Sequence, residues 1–159
     1  MSIISVLKQA DIFYELSNTQ LELVASICDE RHYQAGDMVF EENSPGSELY
    51  IIANGEIEIL LNPALLGKEA KSGPEVISTL RRGQSFGEVA LVDEGLRSAG
   101  ARVSMPETRL IVVPRDKVML LCDTYAQLGY RLMRNLAADL AMKIRSTDLL
   151  VREQMTWGK

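Results

Sequence analysis

Apolar residues recur at helical spacing near both ends of the chain and in short bursts between them. Close to the start, Leu21, Val24, Ile27 and Cys28 fall at the intervals that line one face of a helix. Ser17-Asn18-Thr19-Gln20 precedes them as a capping box, with the Ser17 side chain accepting from first-turn amides and Gln20 reaching back. Together these predict a helix from about 18 to 29, with a shorter one from Ile4 to Gln9 before it. The bursts are Met38 to Phe40, Leu49 to Ile52, Ile57 to Ile59, Val76 to Leu80, Ala99 to Val103 and Leu110 to Val113. They are short and separated by turn residues, the pattern of strands in a sandwich, barrel or roll. Asn62 to Glu75 is too long and too punctuated by proline and glycine for a tight hairpin, which predicts a mobile surface loop.

Glycine and proline divide the chain into three parts. Residues 36–114 hold nine of the eleven glycines and all five prolines, residues 1–35 hold neither, and residues 115–159 hold only Gly129 and Gly158. That distribution predicts N-terminal helices over 1–35, a turn-rich β region over 36–114 and C-terminal helices over 115–157. Pro114 suits a first helical turn, and Val118, Leu121 and Cys122 give the next helix a short apolar face. Thr124-Tyr125-Ala126-Gln127 has the form of a second capping box, so a new helix is expected from Tyr125. Leu128, Leu132, Leu136, Leu140 and Ile144 carry it onward, and Gly129 weakens it by about 1 kcal/mol against alanine without ending it.

A helix of about 32 residues reaches roughly 48 Å. A compact body of about 120 residues is only some 35 Å across. The helix must therefore outrun its own β region. Met133, Leu136, Leu140, Ile144, Thr147 and Val151 recur three and four apart as a seam. Its first half is expected against the chain's own body and its second half, with Leu149 and Leu150, against another surface; a homodimer through the C-terminal helix is the simplest expectation. Asp139 with Lys143, and Asp148 with Arg152, are i,i+4 pairs suited to solvent on the flanks.

Composition narrows the chemistry. The 159 residues are 47% hydrophobic, enough for a core, and no repeat or low-complexity tract divides them, so residues 1–159 are expected to form a single domain. Seventeen basic against 22 acidic residues give a net charge of -5, which disfavours nucleic acid as a partner. No apolar run approaches the roughly 18 residues needed to span a bilayer, and the start, with Asp11 and Glu15, lacks a signal-peptide pattern. A cytoplasmic protein with no membrane partner is expected. Cys28 and Cys122 are the only cysteines and read as buried thiols in a reducing compartment. His32, the only histidine, falls in the expected helix-to-strand connection, so neither a multi-histidine metal centre nor a serine or cysteine relay is expected. No enzyme and no metal follow from that inventory.

Gly83-Gln84-Ser85-Phe86-Gly87-Glu88-Val89-Ala90-Leu91, followed by Arg97-Ser98-Ala99, carries the most chemistry. Glycines let backbone amides approach a ligand, and a one-turn helix starting near Gly87 would aim free N–H groups at an anion. Arg97 offers a planar fork that matches a phosphate. Glu88 offers acceptors suited to a sugar hydroxyl. A donor cluster beside a sugar acceptor suggests a phosphorylated ribose. The bland alternative is a plain turn at Gly87 with a surface ion pair between Glu88 and Arg97. Asp93-Glu94 reads as a solvated turn, and Tyr50 as a packing aromatic.

These residues resemble the phosphate-binding cassette of the cyclic nucleotide-binding domains found in catabolite-activator-like regulators, kinase regulatory subunits and gated channels. Gly36-Asp37, Pro45-Gly46, Leu49-Tyr50-Ile51-Ile52, Gly55-Glu56-Ile57 and Gly83-Gln84 fall in the family's order, so the resemblance covers roughly residues 5–147. It implies an eight-stranded antiparallel β-roll, jelly-roll-like, with N-terminal helices and a long C-terminal helix, and a cyclic nucleotide inside the roll. The implied cassette runs over 86–99. Arg97 would pair with the cyclic phosphate, Glu88 would accept the ribose 2'-hydroxyl, and Gly87, Val89, Ala90 and Ala99 would offer backbone contacts. Ser98 stands where some members use threonine to favour guanine, and Ser146 and Thr147 stand near where activator-like members present hydroxyls to the base. Leu96 replaces a common proline and Gly100 a bulkier residue, which leaves cAMP or cGMP open. The implied function is a sensing module without chemistry of its own, relaying occupancy through its C-terminal helix. The alternatives are a scaffold that has lost its ligand, or the sensor part of a transcription regulator whose DNA-binding domain lies outside this chain.

Overall fold

A computed structural model describes residues 2–62 and 73–157. Of the expected loop from Asn62 to Glu75, residues 63–72 lie outside the described residues, and Glu75 belongs to a strand instead. Two N-terminal helices, α1 (Ile3–Gln9) and α2 (Asn18–Ile27), flank a short 3-10 turn at Asp11–Phe13. The Ser17 capping box forms as predicted: Gln20 N donates to Ser17 Oγ at 3.2 Å and Ser17 N to Gln20 Oε1 at 2.9 Å. α2 ends two residues earlier than expected because Cys28 takes extended geometry as its C-cap.

Eight strands follow among the described residues: β1 (Asp29–Tyr33), β2 (Met38–Phe40), β3 (Glu48–Asn54), β4 (Glu56–Leu61), β5 (Glu75–Arg81), β6 (Ser85–Phe86), β7 (Gly100–Val103) and β8 (Thr108–Pro114). They form two antiparallel four-stranded sheets, ordered β1-β8-β3-β6 and β2-β7-β4-β5. His32 therefore lies in β1, opposite Arg109 of β8, and not in a connection. β1 escapes the pattern because Asp-Glu-Arg-His-Tyr has no apolar alternation: it is an edge strand, open to solvent along most of its length.

The continuous apolar runs of β3 and β8 have a simple cause, since both strands are buried on both faces. Tyr50, Ile52, Leu110 and Val112 point between the sheets, where they meet Ile57, Phe86, Ala101 and Val103. Leu49, Ile51, Ile111 and Val113 point the other way, onto a helical layer that contributes Leu7, Leu21, Val24, Leu128, Leu132 and Leu136. The roll thus has one core inside and a second beneath its helices.

α3 (Arg115–Thr124) leaves β8 directly, with Pro114 as its N-cap. The second capping box does not form. Thr124 still belongs to α3, and its Oγ1 donates backward to the Leu120 carbonyl at 2.8 Å. After Tyr125, α4 (Ala126–Trp157) runs for 32 residues, about 48 Å. Gly129 is what lets α4 turn tightly against α3, because a Cβ there would lie 2.7 Å from the Cys122 carbonyl oxygen. Asn135 pins α4 to the N-terminal turn by donating to the carbonyls of Ile12 and Tyr14 at 3.0 and 2.8 Å. Leu136 is buried and Met133 and Leu140 pack on the same core, whereas Ile144, Leu149, Leu150, Val151 and Met155 are exposed. Both cysteines are free thiols; burial pushes Cys28 up to about 12.

Candidate functional site

The β6–β7 connection folds back over the open side of the roll. Gly87 takes φ +77, which a side chain would make strained, and begins a 3-10 turn at Glu88–Leu91. Such a turn leaves its first N–H groups without partners inside it. Here Glu88 and Val89 supply those groups, while the Ala90 amide is spent on the Gly87 carbonyl at 3.2 Å.

Arg97 enters from the far end of the connection, held at its backbone by residues before β3. Its N–H donates to Ser44 O at 2.8 Å, and its carbonyl accepts from Asn43 N at 2.7 Å. The residue is 7% exposed. Nη2 donates to the Glu48 carbonyl at 2.9 Å and Nη1 to the Gly87 carbonyl at 3.3 Å, while the guanidinium lies 4.2 Å above the Phe40 ring. Nε is buried and has no hydrogen-bond partner. Gly46 makes this placement possible, since a Cβ there would lie 2.0 Å from Nε.

Phe40, Tyr50 and Phe86 cluster beside the guanidinium, with ring centroids 5.1 to 5.9 Å apart. Tyr50 Oη donates to Glu48 Oε2 at 2.6 Å, and Glu48 also takes a two-pronged contact from Arg31 at 3.0 and 3.1 Å. Burial would raise the Glu48 carboxyl, but the Tyr50 hydroxyl and Arg31 outweigh it and hold it below its ordinary value. Tyr50 is thus a packing aromatic, as expected. Burial pulls the pKa of Arg97 down, with Tyr50, Glu48 and Glu88 opposing that fall. A guanidinium starts so high that it remains charged at neutral pH.

Between cassette, sheet and α4 lies a cavity of about 810 Å³. Gly87, Glu88, Val89, Ala90, Arg97, Ser98 and Ala99 all line it. So do Ser146 and Thr147, from the same chain, although their hydroxyls donate to the Met142 and Lys143 carbonyls at 3.1 and 3.0 Å. The two hydroxyl-bearing residues singled out by the resemblance thus border this chain's own cavity. The bland reading of a surface ion pair does not hold, because Glu88 and Arg97 are both buried to 7% exposure and Glu88 pairs with Lys143 instead. A buried guanidinium with an idle donor, open first-turn amides and an acidic acceptor across one cavity can receive an anion attached to a hydroxyl-bearing ring.

Residues 30–125 match the sequence profile described as the cyclic nucleotide-binding domain. The chain belongs to the cyclic nucleotide-binding domain family. It is 32% identical over 143 residues to the cyclic AMP receptor protein of Thermus thermophilus, covering 90% of this chain and 61% of that one. It is 32% identical over 113 residues to the cAMP-dependent protein kinase regulatory subunit of Schizosaccharomyces pombe, covering 71% of this chain and 24% of that one. The chain thus spans less than two thirds of the length of the first of these relatives and about a quarter of the second. Among solved structures, the catabolite activator protein of Thermus thermophilus superposes with a TM-score of 0.78 at 27% identity, covering 92% of this chain and 63% of that one. The eight-stranded roll with helices at both ends is the architecture of this family.

Four residues at the candidate site had no role, or only part of one, in the sequence pattern. Gly46 stood out only as part of a Pro-Gly pair, with no sign that it makes room for Arg97. Phe40 looked like an ordinary strand residue, and nothing local distinguishes the Glu48 carbonyl. Lys143 looked like one half of a solvated pair with Asp139, which it does contact at 3.0 Å, but both residues border the cavity.

Proposed function

We propose that this chain is a sensor domain that binds a purine cyclic nucleotide, cAMP or cGMP, and performs no chemistry. The cyclic phosphate docks on Arg97 and the amides of Glu88 and Val89, the ribose 2'-hydroxyl on Glu88, and the base toward Ser98 or Thr147. The observation that carries this reading is the buried Arg97, whose Nε has no partner, facing the same cavity as Glu88 in a chain of this family. Calorimetric titration with cAMP and cGMP side by side tests it. Arg97→Ala removes a buried charge-assisted contact, which typically costs about 2 to 5 kcal/mol, or roughly 30-fold to several-thousand-fold in Kd. Binding by that variant within a few-fold of the parent would mean that the phosphate sits elsewhere. Base selectivity is modest, because one hydroxyl hydrogen bond contributes only about 1 kcal/mol net, with cAMP the slight favourite.

The same reading makes residues 1–159 one functional unit that works in the cytoplasm as a homodimer through α4. The support for dimerisation is the distal half of that helix, where Ile144 is 62% exposed and Leu150 61%. An apolar stripe of that kind favours a self-complementary two-fold contact. Light scattering at tens of micromolar is expected to give a dimer for the parent and a monomer for Ile144→Glu. A monomeric parent, or an undisturbed dimer in the variant, would refute it. The net charge of -5 speaks against nucleic acid as a partner of this stretch.

A further inference from the structure

Glu88 already has a partner within this chain. Its carboxylate, 9% exposed at the side chain, accepts from the Lys143 ammonium, which reaches down from α4 and also contacts Asp139 one turn earlier at 3.0 Å. Glu88 lies in the cassette and Lys143 lies 55 residues later on the helix, so this ion pair bridges the two parts of the molecule that face each other across the cavity. Burial works against the charge on Lys143, yet the hydrogen bonds and charges of Glu88 and Asp139 raise its pKa overall, so it is held as an ammonium.

Resting on the reading that Glu88 is the ribose acceptor, we propose that Lys143 is an internal occupant of the ribose subsite, and that the ligand's 2'-hydroxyl binds by displacing it. The physical argument is one of competition. Glu88 Oε1 is the oxygen that Lys143 holds, and a ribose hydroxyl donating to the carboxylate enters the same cavity that Lys143 lines. Lys143 has an alternative, since Asp139 already holds it from within α4 and its side chain is 50% exposed. Glu88 accepts a hydrogen bond from no other side chain among the described residues, although the charge of Arg97 is within electrostatic reach, so Lys143 and the ribose hydroxyl are alternative donors to it. Occupancy therefore removes the tie between cassette and α4. This gives the ligand different interaction energies with the tied and untied helix, the condition for it to shift one toward the other.

The test is titration of cAMP and 2'-deoxy-cAMP into the parent and into Lys143→Met. Losing the internal competitor leaves Glu88 unpaired in the empty state, so cAMP binding is expected to tighten about tenfold, a modest gain in keeping with a half-exposed lysine. The 2'-deoxy ligand has no hydroxyl to take the vacated carboxylate, and its affinity is expected to stay the same or fall. Lys143→Gln, which keeps a polar head on the exposed helix face, is expected to act in the same direction, so a folding defect in the methionine variant leaves the question answerable. If the parent prefers cAMP over its 2'-deoxy form but neither variant binds cAMP more tightly, displacement is wrong while the ribose assignment stands. Weaker cAMP binding in the variants would make Lys143 a ligand contact and overturn the proposal. Equal binding of both ligands by the parent, or binding of neither, would remove Glu88 as the ribose acceptor and the proposal with it.

Discussion

Arg97 is positioned by glycines more than by charged partners. A Cβ on Gly46 would lie 2.0 Å from its Nε, and one on Gly87 would lie 2.8 Å from Nη1 at a φ of +77. Gly46→Ala, whose backbone is not in the left-handed region, is expected to move the guanidinium without unfolding the chain. The result should be a loss of cyclic nucleotide affinity of at least about tenfold, with a melting temperature within a few degrees of the parent. Parent-like affinity in that variant would show that the arginine has another place to sit. Glu48 carries a pH prediction. Its carboxyl is held below the ordinary value, so the stability it contributes is complete above the unfolded pKa of about 4.3 and is lost as pH falls through the lower folded value. Melting temperatures recorded from about pH 3 to 7 should therefore drop on the acid side, and Glu48→Gln should flatten that limb. An unchanged acid limb would argue against the Arg31 and Tyr50 contacts as its source.

Among the elements, α4 shows propensity and packing in conflict. Replacing a helical glycine by alanine normally stabilises by about 1 kcal/mol. At Gly129 the added methyl would meet the Cys122 carbonyl oxygen at 2.7 Å and its Cβ at 3.0 Å. Neither is the end of a flexible side chain, so α3 and α4 must part. Gly129→Ala is expected to lower the melting temperature in spite of its better propensity, and a rise would mean that the α3–α4 corner yields easily. The proximal half of α4 belongs to the helical core, where Leu128 and Leu132 are fully buried, so Leu132→Ala should cost about 2 to 5 kcal/mol in chemical denaturation. Among the residues of the distal half whose burial is described none is buried, and Leu150→Ala should change monomer stability by less than about 0.5 kcal/mol.

For the whole molecule, two sheets face one core and a helical layer covers the other side of one of them, while the cavity sits where roll and α4 meet. A ligand there touches both halves of the structure, so its binding should stabilise the whole chain. At a hundredfold excess over Kd the stabilisation is about 2.7 kcal/mol. Thermal scans with cAMP should show the corresponding upward shift in the parent and none in Arg97→Ala at the same ligand concentration. A shift that survives the substitution would locate binding outside the cassette.

Much of this was legible along the chain. The Ser17 cap, the helical period of α2 and α4 and the apolar runs of β3 and β8 are local patterns, and the fourteen residues from Phe86 to Ala99 place Glu88 and Arg97 in one short stretch of sequence. β1 was not legible, because an exposed edge strand leaves no apolar alternation. Nor was the failure of the Thr124 cap, since a hydroxyl that can cap a helix can equally bond back to the preceding turn. Tertiary structure decided the rest. The contacts of Arg97 with the Glu48 carbonyl and of Lys143 with Glu88 span 49 and 55 residues. Local periodicity records which face of a helix is apolar, so it marked Asp139 and Lys143 as an i,i+4 pair on a solvated flank and nothing more. Only folding of the cassette against α4 put a buried carboxylate within reach of that lysine.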